Sequence, residues 1–540
     1  MKDFDTTLKK NKANYVPLNP VSFLRKTAAT FPSKNSIIYN NRTYTWLETY
    51  IRCKRLASAL VMRGLEPGDT VGFVAMNTPE LYEAHFGVPM AGLILNAMNY
   101  RLDPKTLAFI IDHSETKLLV ADLEFLPVVE KALAMSHESP EIIVIEDIEA
   151  GFENTSKYEH YEELLSTGDP DYYEFKIQDE WETISINYTS GTTGNPKGVA
   201  YHYRGAYLNA IGNVLEWDMD SHPVYLWTLP MFHCNGWCFP WTIAAKAGIN
   251  VCLRKVSAKQ MYASIAQNKV DHLCGAPIVL SMLADASEKE KMSFNHLCKV
   301  MTAAAPPPAS VLEAMQELGF HVTHVYGLTE VYGPCVVCAW DPDWSNLSIK
   351  EQADIKSRQG VSYVVQEDIK VVTQSSKEDV PRDGKTIGEV LLRGNITMKG
   401  YIKNPEATEE AFSGGWFHTG DLGVMFENGY VQLKDRAKDI IISGGENISS
   451  IEIENCIYHL EQVAACGVVA MKDNKWGEVP CVFVELKPGC TLSKDNIINH
   501  CKLSLASFKV PKEVIFQEIP KTSTGKIQKV ELRKIIPEGG

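Results

Sequence analysis

The chain has 540 residues, too many for one ordinary core, and should divide into at least two domains. Its 53 lysines and arginines against 67 aspartates and glutamates give a formal charge of −14, which excludes a general attraction for nucleic acid or anionic membrane. Any phosphate binding must therefore be local. No window approaches the uninterrupted apolar length of a membrane span, Met1 to Asn19 lacks the apolar run of a secretory signal, and Pro537 to Gly540 carries none of the common address signals. With thirteen cysteines scattered through apolar segments as reduced core thiols, these features predict a soluble, cytoplasmic protein.

The first half repeats one unit: an apolar strand, a turn, then an amphipathic helix. Thr70 to Met76 reads as a strand. Asn77 or Thr78 can cap the helix that follows, Pro79 fits its first position, and Leu81, Ala84, His85 and Val88 mark one face. Residues 117–121, 141–145 and 249–253 repeat the buried-strand signal with helical stretches between them, which predicts largely parallel sheets covered on both faces. Ile184, Ile186 and Tyr188 alternate like a strand, and Tyr203 to Val214 reads as a helix. After about residue 340 the texture changes to short strands separated by Asp, Gly and Ser turns, a small β-rich subdomain over about 341–437. A second change near Asp435 opens an α+β unit, with Ser449 or Ser450 capping a helix that starts at Ile451.

Between the strand and the helix, Tyr188 to Gly198 (YTSGTTGNPKG) concentrates hydroxyls, three glycines and Lys197. Glycines let backbone N–H groups approach an anion, hydroxyls add donors and lysine adds charge, so this loop is a candidate phosphate cradle. It is not a Walker A loop, because Pro196 precedes Lys197 and Gly198 follows it. Tyr326-Gly-Leu-Thr-Glu330, after a probable strand from His321 to Val325, offers a ring for a base and a carboxylate for a magnesium ion. His418-Thr-Gly-Asp421 offers a carboxylate suited to ribose hydroxyls. Lys526 follows a glycine on the polar loop Pro520 to Lys526.

These motifs, in this order and joined by Asp435-Arg436 and Ser443-Gly-Gly-Glu446, resemble the adenylate-forming superfamily of acyl-CoA synthetases, peptide-synthetase adenylation domains and beetle luciferases, across essentially the whole chain. The resemblance implies an α/β fold: a large N-terminal domain (1–437) of two αβ-layered sheets and a distorted barrel, and a small mobile α+β cap (438–540) hinged at Lys438. It implies that Thr189, Ser190, Gly191, Thr192, Thr193, Gly194 and Lys197 fold over the β- and γ-phosphates of ATP. Glu330, with Thr189 or Thr192, would hold Mg2+. Ala304, Ala305 and Pro306 would line adenine with Tyr326, Gly327 and Thr329, and Asp421 and Arg436 would bind ribose. Many relatives carry glycine where Ala303 and Ala304 stand.

By the same resemblance Lys526 bridges the carboxylate and the α-phosphate during acyl-AMP formation, and Ser443, Gly444 and Gly445 give passage to the pantetheine arm of CoA. The stretch Pro230 to Trp237 most resembles the acyl-CoA synthetases, which places His233 beside the carboxylate. His233, Trp237, Val331, Tyr332 and Gly333 would then form the acyl pocket, with Cys335 and Cys338 as packed thiols near it. The implied activity is AMP-forming ligation of a short- or medium-chain carboxylic acid to CoA. Loading of a carrier protein and a non-catalytic nucleotide-binding regulator remain open alternatives, as does a homodimer.

Overall fold

The computed structural model describes residues 3–189, 195–303, 309–373, 376–443, 446–473, 475–522 and 526–536. Two large sheets form the bulk of the molecule. The first has eight strands, in the spatial order Gly400–Tyr401, Lys197–His202, Thr183–Thr189, Ile94–Ala97, Thr70–Val74, Thr116–Asp122, Glu141–Ile145 and Glu159–His160. From Thr183–Thr189 onward every pairing is parallel, while Lys197–His202 and Gly400–Tyr401 add an antiparallel edge. The second has nine strands and runs parallel through Ile249–Cys252, Val224–Trp227, His272–Gly275, Cys298–Thr302 and Phe320–Leu328, with antiparallel pairs at both edges.

Between the sheets lies the helix Pro79–Met90, every residue of which is buried. A helix buried all round cannot be amphipathic, so the one-sided face expected from Leu81, Ala84, His85 and Val88 gives way to contacts on every side. Thr78 is its N-cap residue without a side-chain capping bond. Asn77 serves elsewhere: its amide donates to the carbonyls of Trp227 and Leu229, both at 2.9 Å, and accepts from Met231 N at 2.8 Å.

The β-rich region expected over 341–437 contains a four-stranded antiparallel sheet, Gln366–Val372, Gly388–Gly394, Phe417–Met425 and Val431–Arg436. It also lends short strands outward: Val361–Ser362 pairs with Gly333–Val337 in the nine-stranded sheet, and Gly400–Tyr401 pairs with Lys197–His202 in the eight-stranded one. The remaining unit is smaller and has its own core. Strands Val463–Asp473 and Gly477–Leu486 form a long antiparallel pair, flanked by Ile441–Ser443, Glu446–Ile448 and Glu513–Phe516. Helix Ser450–Tyr458 begins one residue before the expected Ile451, capped by the Ser449 hydroxyl, which accepts from Glu452 N at 3.1 Å. Among the described residues no helix is long and apolar enough to cross a membrane.

Candidate active site

The hydroxyl-rich stretch closes a hairpin rather than leading from strand to helix. Thr189 ends one strand and pairs with Lys197, which begins the next, and the helix Tyr203–Glu216 follows only after that second strand. Ser190, Gly191, Thr192, Thr193 and Gly194 lie outside the described residues, as do Ala304, Ala305 and Pro306, and Gly444 and Gly445. The Lys197 ammonium sits 4.6 Å from the centre of the Tyr401 ring, a cation–π distance. Tyr401 therefore anchors the base of the hairpin from the neighbouring edge strand.

The same tyrosine reaches the second motif. Its hydroxyl donates to Glu330 Oε1 at 2.9 Å, and Met398 N donates to the Glu330 carbonyl at 2.8 Å. Tyr326, Gly327 and Leu328 belong to the long strand Phe320–Leu328, so the motif is strand and not loop until Thr329, where a short 3-10 turn sets Glu330 apart from the sheet. Gly327 is required there by close approach: a Cβ would stand 1.7 Å from the Gly333 carbonyl oxygen. Desolvation raises the Glu330 carboxyl above its usual range, and among the described residues no lysine or arginine is ion-paired with it. A desolvated carboxylate with oxygen capacity to spare is a donor suited to a hard divalent cation such as Mg2+.

The third motif is assembled across a hairpin. Asp421 and Arg436 are register partners in the four-stranded sheet, and Arg436 Nε lies 2.6 Å from Asp421 Oδ1. The other oxygen, Oδ2, accepts from the Tyr326 hydroxyl at 2.7 Å. An ionised carboxylate has about four lone-pair sites, so two remain for ligand hydroxyls after these bonds. Tyr326, itself buried, is thus held by its hydroxyl.

Lys526 arrives from the C-terminal unit. Its loop is tied by Lys526 N donating to Thr522 Oγ1 at 3.0 Å and by Thr522 N donating to the Lys526 carbonyl at 2.7 Å. The side chain is open to water in the cleft, yet protein crowds round it; this desolvation first, then repulsion from Arg436, draws the ammonium down to about 8. Burial, with a further contribution from Lys526, pushes His233 down to about 4, so the imidazole is neutral at pH 7. One cation from the small unit therefore acts on both Asp421, on a strand of the four-stranded sheet, and His233, in the turn that follows the strand Val224–Trp227. Lys438, exposed, lies between the strand ending at Arg436 and the strand beginning at Ile441, where Arg533 of the last helix donates to its carbonyl at 3.3 Å. Ser443 is buried and pairs with Glu446 and Gly477.

A cavity of about 1080 Å³ opens beside His233 and Trp237, with Asn77, Tyr100 and Met282 on its large-unit walls and residues 518–522 closing it from the small unit. Val331, Tyr332 and Gly333, expected in the acyl pocket, lie behind this wall. Tyr332 is fully buried, stacks on Tyr201 at 3.9 Å, accepts from His202 N at 2.5 Å and donates to the His202 carbonyl at 3.0 Å. Gly333 backs the wall at close range, since a Cβ there would stand 2.7 Å from the Trp237 ring. Cys335 and Cys338 are buried, with both thiols pushed up by desolvation.

What motif reading missed is the backbone that carries Trp237. Cys234, Asn235, Gly236, Trp237 and Cys238 all have positive φ (46, 42, 55, 55 and 64°), a left-handed turn in which four residues are not glycine. Such a conformation costs roughly 1–2 kcal/mol per non-glycine residue, so surrounding contacts must impose it. The Asn-Gly pair is the one local signal that could have suggested it, because both residues tolerate this region.

Comparison with known proteins agrees with this geometry. The sequence profile of the AMP-binding enzyme family matches residues 24–402, and that of the AMP-binding enzyme C-terminal domain matches residues 452–526. The chain is 48% identical to the peroxisomal acetate/butyrate–CoA ligase AAE7 of Arabidopsis thaliana, over 99% of this chain and 97% of that protein. It is 45% identical to the peroxisomal trans-cinnamate:CoA ligase of Petunia hybrida, over 99% and 96%. The crystal structure of the anthranilate CoA ligase AuaEII with anthranoyl-AMP shares the fold, with a TM-score of 0.86 at 23% identity, over 97% of this chain and 98% of that one. The peroxisomal relatives overturn the expectation of a cytoplasmic protein. Reduced thiols and a net negative charge do not distinguish one reducing compartment from another, and an address is read by a receptor rather than by the fold. With profiles spanning both units and relatives matched almost end to end, the chain belongs to the AMP-binding enzyme family.

Proposed function

We propose that this protein is an ATP-dependent acyl-CoA synthetase that forms AMP and joins a short- or medium-chain carboxylic acid to CoA through an acyl-AMP intermediate. The observation that carries the reading is Lys526, a cation with a depressed pKa delivered by the small unit to a point where it senses Asp421 and His233 together. Two anions, the acid's carboxylate and the α-phosphate, must approach each other, and a cation between them offsets their repulsion as charge shifts to the departing pyrophosphate.

In the first half-reaction a carboxylate oxygen attacks the α-phosphorus, forming a P–O bond as the bond to pyrophosphate breaks. Asp421 holds the ribose hydroxyls, Arg436 keeps Asp421 aimed, and Tyr326 offers its ring face to adenine. Thr189 and Lys197 frame the hydroxyl-rich loop over the β- and γ-phosphates. Glu330, oriented by Tyr401, would hold Mg2+, which when bound neutralises phosphate charge. Neutral His233 stands beside the acid without adding a second cation to compete with Lys526. In the second half-reaction the CoA thiol attacks the acyl carbon, its proton is lost, and AMP leaves.

The hinge fits Lys438, because the four-stranded sheet ends at Arg436 and the small unit's first strand starts at Ile441. Trp237 at the cavity wall supports a limit on acid size, and the two relatives above are named for acids from acetate to cinnamate, so the wall rather than ancestry must set the choice. The test is pyrophosphate and AMP release from Mg-ATP, CoA and straight-chain acids from acetate to decanoate, with cinnamate alongside. Acid-dependent release of both products is expected, and release of neither with any acid overturns the reading.

A further inference from the structure

The left-handed turn is held from outside by three buried asparagines whose amides the reaction itself does not use. Asn187, 2% exposed, lies on the strand that ends at Thr189; its Oδ1 accepts from Asn235 N at 2.9 Å and its amide donates to Asn235 Oδ1. From the helix Tyr203–Glu216, Asn213 donates to the Trp237 carbonyl at 2.9 Å and to Thr242 Oγ1 at 3.2 Å. One helical turn earlier Asn209 donates to the Tyr332 carbonyl at 3.3 Å and to Cys238 Sγ at 3.7 Å. At the start of the turn Cys234 Sγ donates to Thr329 Oγ1 at 3.6 Å, one residue before Glu330. These bonds satisfy backbone groups that no helix or sheet ladder serves, which is what a strained turn needs in order to persist.

The packing leaves Trp237 little freedom. Gly333 presses on one side of its ring, and at Gly236 a Cβ would meet the Trp227 ring at 2.8 Å. If the turn relaxed toward negative φ, the carbonyls and side chains of residues 234–238 would all redirect, and with them the cavity wall and the neighbour of His233.

We infer that Asn187 and Asn213 are positioning residues that set which acid the site accepts, by holding the left-handed turn that aims Trp237 and His233 at the cavity. Asn187 also ties that wall to the nucleotide side, since it stands two residues before Thr189 on the strand that leads into the hydroxyl-rich loop. This inference rests on the ligase reading above. It goes further by assigning selectivity to buried amides that touch neither substrate.

The experiment compares kcat/KM for hexanoate and acetate, and KM for ATP, in wild type, Asn187→Ala, Asn213→Ala and Asn235→Gly, with thermal unfolding recorded for each. Both alanine variants should raise the hexanoate-to-acetate ratio about tenfold, the scale on which one or a few methylenes are discriminated by a pocket. Asn187→Ala should also raise KM for ATP several-fold, whereas Asn213→Ala should leave it unchanged. Asn235→Gly, which keeps a residue at ease with positive φ, should hold the wild-type ratio. If the alanine variants fold but keep the ratio within twofold, however slow they are, the asparagines are structural and the inference fails. Should Asn187→Ala not accumulate as folded protein, the ratio for Asn213→Ala decides alone. A wild type silent toward every acid overturns the ligase reading, and this inference with it.

Discussion

On the large-unit side of the cleft, Asp421 is fixed by Tyr326 and Arg436, Glu330 by Tyr401, and the turn carrying Trp237 by Asn187 and Asn213. On the small-unit side, Lys526 rides on a loop tied within that unit, by its own bonds to Thr522, by the bridge between Lys521 and Ile527, by the ion pair of Lys521 with Glu485 at 2.8 Å and by Gln528 N donating to the Pro520 carbonyl at 2.9 Å. The residues proposed for recognition thus sit in cross-braced sheets, while Lys526, the cation proposed to drive adenylation, is carried on a loop of the small unit and is exposed. A group that must act in one half-reaction and withdraw for the next is better placed on the second kind of support. The contrast assigns different failures to the two sides: loss of rate from one, loss of affinity or selectivity from the other.

The strongest test of that division removes the cation of the small unit. Lys526→Ala should lower acyl-AMP formation, read as pyrophosphate release, by about 100- to 1000-fold, the scale for deleting one preorganised charge-stabilising donor. Thioester formation from supplied acyl-AMP should fall less than about tenfold. Equal losses in both would erase the distinction. On the braced side, Asp421→Asn should raise KM for ATP by about tenfold or more, since hydrogen bonds to charged groups contribute roughly 1.5–3 kcal/mol. Glu330→Gln should raise the Mg2+ concentration for half-maximal rate by at least about tenfold.

A gentler test uses pH. The Lys526 ammonium, drawn down to about 8, is charged below that value and neutral above it, so kcat/KM for adenylation should fall as pH rises through about 8. His233, at about 4, stays neutral across this range and adds no limb. Lys526→Arg should flatten the alkaline limb, because a guanidinium stays protonated there. The smallest effect on activity is expected at Tyr332. Tyr332→Phe strips the buried His202 N–H of its acceptor and should lower stability by about 1–3 kcal/mol in denaturant unfolding. Because Tyr332 lies behind the cavity wall, KM for the acid should change less than about twofold; a larger change would return it to the pocket.

Much of the architecture was legible because local patterns and global fold agree. Alternation at Ile184, Ile186 and Tyr188, the apolar runs near 118 and 143, and the Ser449 cap each follow from short-range chemistry and each appear in place. The meeting of Asp421 with Arg436 was legible for a different reason: the two read as one ribose pair, and the fold makes them register partners. Three things were hidden. A helix buried all round, Pro79–Met90, has no period to read. Strands as short as Gly400–Tyr401 are defined by their partner rather than their sequence. Asn187 and Asn213 look like ordinary polar positions until the fold brings Asn235 and Trp237 to them, and nothing in the sequence marks that meeting.

Tyr401 has a consequence for how the protein is made. Its ring underlies Lys197, its hydroxyl orients Glu330, and its backbone covers the open edge of the strand Lys197–His202. During translation that edge emerges about two hundred residues ahead of its partner, which at roughly 5–20 residues per second is a wait of some tens of seconds. Through that interval the nascent chain exposes an unpaired strand next to a loop rich in small residues, the kind of edge that chaperones shield and that pairs wrongly when crowded. That strand edge therefore stays open until residue 401 clears the ribosome, and the proposed nucleotide site is completed only later, with Asp421 and Arg436; truncated chains that stop short of residue 401 should be retained by holdases rather than accumulate as folded protein.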